Sequence, residues 1–530
     1  CVRAPPNLVI RGRAEDARAV RAAEATAAAA AAARSSGGGR SGKEGRRRRR
    51  RRGKGRGYEY YKCSLSFKKN FEAPHCCSAV ARSCWHQWNA APMLALLAVA
   101  SAAPPSLSLN LEALDDAVPP QLLQPQPSIC LNATGFAFVS STGCPAGATL
   151  FTHAGADAFN ILWSVWTPTQ APHPPHMGNW STTVATLEQM AAAKLPFARV
   201  FGTPWGAEQI MLWRTAKSEY WANVTKVVHK ANAIGVRLHM SITPTLPQFA
   251  IAAGCGSTRE LITNEDGSGC RGVLKEYVQE MVGRFKDDAT ILSWGMGNEL
   301  NLRADGCSYN KSRGEYFTTT EMMAFSTLYV SWVKELDPTR PIGSDMGQPR
   351  TRAKHLAALK GGGAACVNAH NPNGDCEVNC SAVPRDSLED FKAITKILSE
   401  PFDYVSVHDY GCYPPFAEFS FCNGDNTSTA PLQAAKEVAD EMGKPLFVGE
   451  FGSPECNIPG GPGWSSEECL VFPRKLLDYQ VQSGIQLSNA WTWCQRKGDG
   501  FCINDGKGSE TILSLLQAAD KKLNSRGANQ

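Results

Sequence analysis

The 530-residue sequence has no long hydrophobic run. Its longest apolar stretch, residues 93–103, falls well short of the roughly 18 residues that a membrane span needs. No H-x-H or H-E-x-x-H spacing occurs, which argues against a metal-dependent enzyme. No glycine-rich phosphate loop follows an early strand-like segment, which argues against an open nucleotide-binding sheet. We therefore expect a soluble protein without a membrane span, a metal or a cofactor.

Charge divides the chain into two unlike parts. Residues 1–92 hold 21 Lys and Arg against 6 Asp and Glu, a net charge of +15, so the rest of the chain carries −9. This basic, low-complexity composition predicts a disordered extension. The first methionine is Met93, and the extension is rich in residues with GC-rich codons, so we interpret it as a gene-model artefact. The alternative is a basic tail that binds nucleic acid through arginines 46–52.

Several features beyond residue 92 predict a secreted protein. Residues 93–103 are apolar and end in small residues, as in a signal peptide; a buried helix fragment is the alternative. Residues 93–530 contain 14 Cys, an even number that could form up to seven disulfides. Four cysteine pairs would close short loops: Cys255 with Cys270, Cys412 with Cys422, Cys456 with Cys469, and Cys494 with Cys502. Six glycosylation sequons start at Asn132, Asn179, Asn223, Asn310, Asn379 and Asn426.

Strand-like and helix-like segments alternate from residue 159 onward. The predicted strands cover residues 159–165, 197–201, 237–242, 291–297, 341–344, 404–408, 445–449 and 485–491. The predicted helices cover residues 183–193, 219–233, 273–285, 321–336, 388–398, 432–442, 469–483 and 510–522. This alternation predicts an α/β fold, a (β/α)8 TIM barrel with loop insertions over residues 151–525. We expect residues 104–150 to pack on the barrel as an N-terminal segment; an open doubly wound sheet is the alternative.

Two glutamates stand where apolar strands end. Glu299 follows the fourth predicted strand in W-G-M-G-N-E, and Glu450 follows the seventh in F-V-G-E-F-G. Active sites of such barrels lie at the carboxyl ends of the strands. Two carboxylates facing one another across a cleft are what cleavage of a glycosidic bond requires. The same Asn-Glu pair at Asn264 and Glu265 lies in a predicted turn, so the dipeptide by itself is weak evidence.

These two motifs resemble the retaining glycoside hydrolases of clan A, most closely family 5, which includes cellulases and β-mannanases. The resemblance covers roughly residues 155–520. It implies that Glu299 is the general acid/base and Glu450 the nucleophile of a double displacement. It also implies an enzyme that hydrolyses a β-1,4-linked polysaccharide, mannan or glucan, in endo fashion without a cofactor. With the cysteines and sequons taken into account, we expect a secreted monomer.

The resemblance extends to six substrate-binding positions. Arg199 resembles the arginine that orients the nucleophile, and Asn298 the amide that contacts the sugar 2-hydroxyl. His408 and Tyr410 resemble a His-x-Tyr pair, in which the tyrosine donates to the nucleophile and the histidine contacts sugar or acid/base. Trp491 resembles the aromatic floor of the site, with Trp493 as the alternative. The family often has a histidine at the end of the third strand, whereas His239 comes early in that strand, where an interior structural role is expected.

Two other functions fit parts of the sequence. A catalytically silent carbohydrate-binding or cell-wall protein could use the same barrel, although such proteins typically lose one of the two carboxylates. A metal-dependent barrel could use His239, His408, Asp409 and Glu450 as ligands. The hydrolase interpretation accounts for more positions than either of these.

Overall fold

The computed structural model describes residues 127–139, 143–162, 179–204, 206–265, 269–305, 317–362, 366–368, 377–378, 383–412, 419–453, 467–494, 502–504 and 511–527. All of these lie within one compact unit, Glu112–Gln530. The predicted basic extension, residues 1–92, and the predicted signal peptide, residues 93–103, lie outside the described residues. Within the described ranges, no helix combines the length and the apolar character that crossing a bilayer requires.

Eight parallel strands form the central sheet. Numbered in chain order with the others, they are β3 (His153–Asp157), β4 (Phe197–Phe201), β5 (Arg237–Ser241), β6 (Ile291–Gly295), β7 (Ile342–Gly343), β10 (Val405–Asp409), β11 (Leu446–Phe451) and β12 (Leu487–Ala490). Strand β12 pairs with β3. The N–H of Asp403 donates to the carbonyl of Ile342, and the N–H of His408 to that of Met346, which joins the β7 and β10 edges. The predicted (β/α)8 TIM barrel is confirmed.

Helices connect these strands. They are α1 (Trp180–Ala192), α2 (Ala207–Thr215), α3 (Lys217–Ala233), α4 (Leu246–Ala253), α5 (Thr258–Thr263), α6 (Gly269–Phe285), α7 (Thr319–Leu336), α8 (Ala353–Gly362), α9 (Leu388–Ser399), α10 (Ala430–Glu441), α11 (Glu467–Ser483) and α12 (Ile512–Gly527). Asn179, Thr318 and Ser387 begin α1, α7 and α9 with capping boxes that satisfy backbone N–H groups. The remaining strands are two antiparallel pairs: β1 (Ile129–Asn132) with β2 (Gly135–Phe138), and β8 (Cys366–Asn368) with β9 (Glu377–Val378).

The first barrel strand is a correction to the sequence analysis. Residues 159–165 were predicted as a strand, but β3 lies upstream at His153–Asp157, and residues 159–162 form a turn. Strand β3 reads His-Ala-Gly-Ala-Asp and has almost no hydrophobic signal, because small residues suffice where strands crowd together. The stronger apolar signal comes from Ile161 and Leu162, which are buried in the core beside the strands.

An apolar layer closes the amino-terminal end of the barrel. The β1–β2 hairpin inserts Phe136, which is fully buried, against Tyr404 and Phe447, with ring centroids 5.1 and 6.3 Å apart. This layer continues through Phe197 and Leu487. Glu299 and Glu450 come at or after the opposite ends of their strands.

Disulfides tie down the loops. Three predicted pairs are formed, Cys255–Cys270, Cys412–Cys422 and Cys494–Cys502, together with Cys130–Cys144. Cys469 is also disulfide-bonded, but Cys456, its predicted partner, lies outside the described residues.

Candidate active site

Arg199 lies at the centre of a polar cluster at the carboxyl end of the barrel. It projects from β4 and is completely buried. Its Nη1 donates to Asp157 Oδ2 at 2.7 Å and to Glu450 Oε2 at 2.9 Å. Its Nη2 donates to Asn298 Oδ1 at 2.7 Å, and its Nε donates to Ser241 Oγ at 3.0 Å. One guanidinium thus fixes side chains from several different strands.

Glu450 is held from both sides at the end of β11. Arg199 binds one carboxylate oxygen, and the Tyr410 hydroxyl donates to the other. The pairing of β11 with β10 shifts by one residue here, so Gly449 is an extra residue and Glu450 lies opposite His408. A Cβ on Gly449 would lie 3.2 Å from the His408 ring, which explains the glycine in the motif.

Glu299 follows β6 and adopts the left-handed backbone region, with φ of 51°. Its N–H donates to the carbonyl of Asp345 at 2.8 Å. Its Oε1 lies 3.1 Å from His408 Nδ1, which is also 3.4 Å from Glu450 Oε2. The side chain of Glu299 is 30% exposed and that of Glu450 is 7% exposed, so Glu299 is the more accessible carboxylate.

The two glutamates therefore converge on one point. One carboxylate oxygen of Glu299 and one of Glu450 lie within 4.8 Å of each other, and the His408 ring nitrogen lies within the same distance of both. Asn298 and Glu299 also line a cavity of about 290 Å³ next to Thr245, Gln248 and Arg303. A polar substrate in this cavity would touch Glu299 directly.

The two tryptophans proposed for the aromatic floor differ in their surroundings. Trp491 follows β12, is partly exposed, and stacks on Phe159 with ring centroids 4.8 Å apart and planes 10° from parallel. Trp493 is 2% exposed and belongs to the hydrophobic core. Of the two, Trp491 is the more exposed, and it directly follows the end of β12.

Two aspartates in the cluster were missed from the sequence. Asp157 ends β3 and binds Arg199. Asp345 follows β7, is fully buried, and accepts hydrogen bonds from His239 Nε2 at 2.9 Å and Ser241 Oγ at 2.5 Å. Asp345 could have been found by the same strand-end rule that gave Glu299 and Glu450. Asp157 could not, because its strand was predicted in the wrong place.

The charges of the cluster shift its pKa values in opposite directions. Burial raises the pKa of Glu450, and the charge of Glu299 adds to this rise, against the opposing attraction of His408 and Arg199. Burial also opposes ionisation of Glu299, but the hydrogen bond from His408 and the charges of His408 and Arg199 outweigh it and lower its pKa. Burial alone would lower the pKa of His408, yet both glutamates raise it by stabilising the imidazolium.

Two other carboxylates also lie beside the Arg199 guanidinium. Asp157 lies 2.7 Å and Asp345 3.7 Å from the guanidinium. Burial raises the pKa of Asp157 to about 7 in spite of Arg199. The pKa of Asp345 is well below its usual range, because the attraction of His239 and Arg199 outweighs its burial. The protonation of Glu450 is therefore set by the whole cluster.

Two groups of side chains have the spacing to hold a metal ion: Glu299 with His408 and Glu450, and His355 with Asp386 and Asp390. The direct contact from His408 Nδ1 to Glu299 accounts for the spacing of the first group. In the second group, Asp390 completes the capping box of α9. The four ligands of the metal-dependent alternative do not converge, because His239 binds Asp345 and Ser293, and Asp409 accepts from the Gly411 N–H.

Comparison with known proteins gives a limited sequence match and a clear fold match. No protein-family model matches the chain. Proteins named probable mannan endo-1,4-beta-mannosidase F, from Aspergillus flavus and Aspergillus oryzae, are each 27% identical to it over 139 residues. The match covers 23% of this chain and only about a quarter of the length of those relatives (27%). The crystal structure of a glycoside hydrolase family 5 mannosidase from Rhizomucor miehei aligns with a TM-score of 0.50 and 11% identity, over 76% of this chain and 99% of that one. The chain has the same barrel fold as that enzyme.

Proposed function

We propose that this protein is a retaining glycoside hydrolase of family 5 that cleaves β-1,4-mannan internally. The observation that carries the proposal is the approach of Glu299 and Glu450 to within 4.8 Å. Retaining glycosidases hold their two carboxyl groups about 5–5.5 Å apart, whereas inverting enzymes leave about 6.5–9.5 Å for a water molecule. The separation in this protein supports retention.

The contacts of each glutamate assign its role. Glu450 is nearly buried, and Arg199 and Tyr410 bind both of its oxygens and aim it into the cleft. It attacks the anomeric carbon and forms a glycosyl ester while the bond to the leaving oxygen breaks. The more exposed Glu299 gives its proton to that oxygen, then takes a proton from a water that attacks the ester and releases a sugar of retained configuration.

His408 supplies the proton that Glu299 needs for the first step. The low pKa of Glu299 and the raised pKa of His408 leave the shared proton mainly on the imidazole. The 3.1 Å contact allows it to pass to the Glu299 carboxylate as the leaving oxygen draws it away. The pair thus acts as one acid, and its pKa belongs to both residues.

Replacing His408 by Asn is expected to narrow the pH profile of kcat/KM from both sides. The alkaline limb reports loss of the proton that His408 and Glu299 share, and the raised pKa of His408 retains this proton to higher pH than a carboxyl group would. The acidic limb reports ionisation of Glu450, whose pKa His408 lowers. Without the imidazole, Glu299 alone carries the acid proton and loses it at lower pH, whereas Glu450 keeps its proton to higher pH. Initial rates measured across the pH range test this expectation, and an unchanged profile would contradict the proton-sharing role.

Mannan is proposed over glucan because both the matching Aspergillus relatives and the Rhizomucor structure carry mannosidase names. The test is the release of reducing ends from β-1,4-mannan, a soluble cellulose derivative and β-1,3-glucan. We expect fast cleavage of mannan, with NMR detecting the β-anomer as the first product. Release of the α-anomer first, or no cleavage of any β-glycan, would overturn the proposal.

We also propose that the enzyme is secreted. Its disulfides are of the kind that persist in oxidising compartments, and Asn179 and Asn426 are exposed sequon residues. A gene that starts at Met93, expressed in a secreting eukaryotic host, is expected to give glycoprotein in the medium. Intact mass before and after enzymatic removal of N-glycans measures this; retention of an unglycosylated product in the cytosol would contradict it.

A further inference from the structure

Asp345 contacts both halves of the candidate active site, although its side chain does not line the cleft between the glutamates. Its carboxylate lies 3.7 Å from Arg199 Nε, the guanidinium that binds Glu450. Its backbone carbonyl accepts the N–H of Glu299 at 2.8 Å.

The backbone at the hydrogen bond between Glu299 and Asp345 has an uncommon conformation. Both Asp345 and Glu299 have φ of 51°, a region that costs free energy for residues other than glycine. Two such residues joined by one hydrogen bond indicate that the surrounding structure fixes this geometry. A Cβ on Gly295 would lie 1.9 Å from Asp345 Oδ2, so the glycine of β6 makes room for the carboxylate.

Hydrogen bonds lock the Asp345 carboxylate in place. His239 Nε2 lies 2.9 Å from Oδ1, and Ser241 Oγ donates to Oδ2. The other ring nitrogen of His239 lies 2.8 Å from Ser293 Oγ, which fixes the ring. His239 is therefore a structural residue inside the barrel, and it holds Asp345 beside Arg199.

We propose that Asp345 is a positioning residue, which orients Arg199 through its carboxylate and Glu299 through its backbone carbonyl. This inference rests on the proposed hydrolase function. The negative charge of Asp345 beside the guanidinium also offsets part of the stabilisation that Arg199 gives to the ionised Glu450. The charged and titratable groups that face Asp345 are Arg199, His239, Tyr329 and Tyr404. Those that face Glu450 are Arg199, Glu299, His408, Tyr410 and Asp157.

The variant Asp345→Asn tests this role, because it removes the charge and keeps the shape. Removing the Asp345 charge takes away a negative charge beside the guanidinium that binds Glu450, so the pKa of Glu450 should fall. Carbon NMR of protein labelled at the glutamate carboxyl carbon measures this fall directly, with the Glu450 signal identified from Glu450→Gln. An Asn amide can accept only one of the hydrogen bonds from His239 and Ser241, so residue 345 and the Glu299 backbone that its carbonyl holds should also shift, which lowers kcat on mannan by about 100-fold with little change in KM.

A second buried aspartate provides the matched control. Asp386 is also fully buried and lies 2.6 Å from a histidine, His355 Nδ1, but belongs to the separate cluster with Asp390. Asp386→Asn should lower the melting temperature and leave the Glu450 pKa and the kcat of the folded fraction unchanged. An unshifted Glu450 pKa in Asp345→Asn, or a loss of activity fully explained by unfolded protein, would overturn the proposal.

A milder variant covers the case in which Asp345→Asn does not fold. Ser241→Ala removes the donor to Asp345 and the acceptor of Arg199 Nε, and should lower kcat about 10-fold with KM unchanged. Wild-type kcat in this variant would count against the network. The NMR titration needs no turnover, so it judges the role of Asp345 even if the wild-type protein cleaves no glycan, a result that overturns the proposed function alone.

Discussion

Glu450→Gln is expected to lower kcat on β-1,4-mannan by about 10⁴-fold or more, a loss of ~5.5 kcal/mol of transition-state stabilisation. An amide does not attack the anomeric carbon, so the glycosyl ester cannot form. Glutamine has the same size, and its amide oxygen can still accept from Arg199 while its NH2 donates to the Tyr410 hydroxyl oxygen, so the fold should persist. Because burial raises the pKa of Glu450, the carboxylate is costly to ionise there, and its removal should not lower the melting temperature greatly.

The chain contains its own control for this experiment. Glu265 follows Asn264 in the same order as Asn298 and Glu299, but Asn264 caps the short helix α5 and does not follow a strand. Glu265→Gln should retain wild-type kcat and KM. Equal activity in the two variants, measured by reducing-sugar release with matched amounts of folded protein, would exclude Glu450 as the nucleophile.

The sequence predicts the barrel well because most of its strands are buried and carry apolar residues on at least one face. Strand β4, Phe-Ala-Arg-Val-Phe, was predicted with its observed bounds, and the helix patterns place the intervening segments. Strand β3 was misplaced because Ala154, Gly155 and Ala156 carry little hydrophobic signal. The error in placing β3 therefore arises from its small residues, which fit a crowded part of the barrel without adding to the hydrophobic pattern.

The sequence predicted those residues of the candidate site whose proposed roles require one particular type of side chain. Two carboxylates, a cation and a hydroxyl donor have few substitutes, so Glu299, Glu450, Arg199 and Tyr410 were visible in sequence motifs. The residues behind them were not. The strand-end rule reaches the position of Asp345 but not its contacts, because its backbone carbonyl and its approach to Arg199 depend on distances across the barrel that no linear spacing encodes.

The proposed sharing of a proton between His408 and Glu299 was also not predicted from the sequence. The motifs predict a protonated Glu299 and an ionised Glu450, because those states serve the reaction. The structure gives the opposite shifts: the pKa of Glu299 is lowered, because His408 contacts it directly, and the pKa of Glu450 is raised by burial. The Arg199 guanidinium that binds Glu450 also contacts Asp157 and Asp345. Roles assigned from motifs describe the reacting complex, whereas the shifts describe the protein before substrate binds.

Glu299→Ala is expected to lower kcat on mannan by about 10²–10⁴-fold, the usual contribution of a general acid. The loss should almost vanish for the first step on a dinitrophenyl β-mannoside, whose leaving group departs without a proton. The glycosyl ester on Glu450 then accumulates, because no base activates water. A burst of dinitrophenolate followed by a slow steady state would be the kinetic signature.

Azide separates the two roles by the configuration of its product. In Glu299→Ala, azide needs no general base, so it should attack the glycosyl ester and give the β-mannosyl azide. In Glu450→Ala, azide would instead enter the space left by the carboxylate, displace the leaving group directly and give the α-mannosyl azide. NMR of the two products assigns the roles without reference to any motif. An α-azide from Glu299→Ala would mean that Glu299, the more exposed carboxylate beside His408, is the nucleophile and that the roles are exchanged.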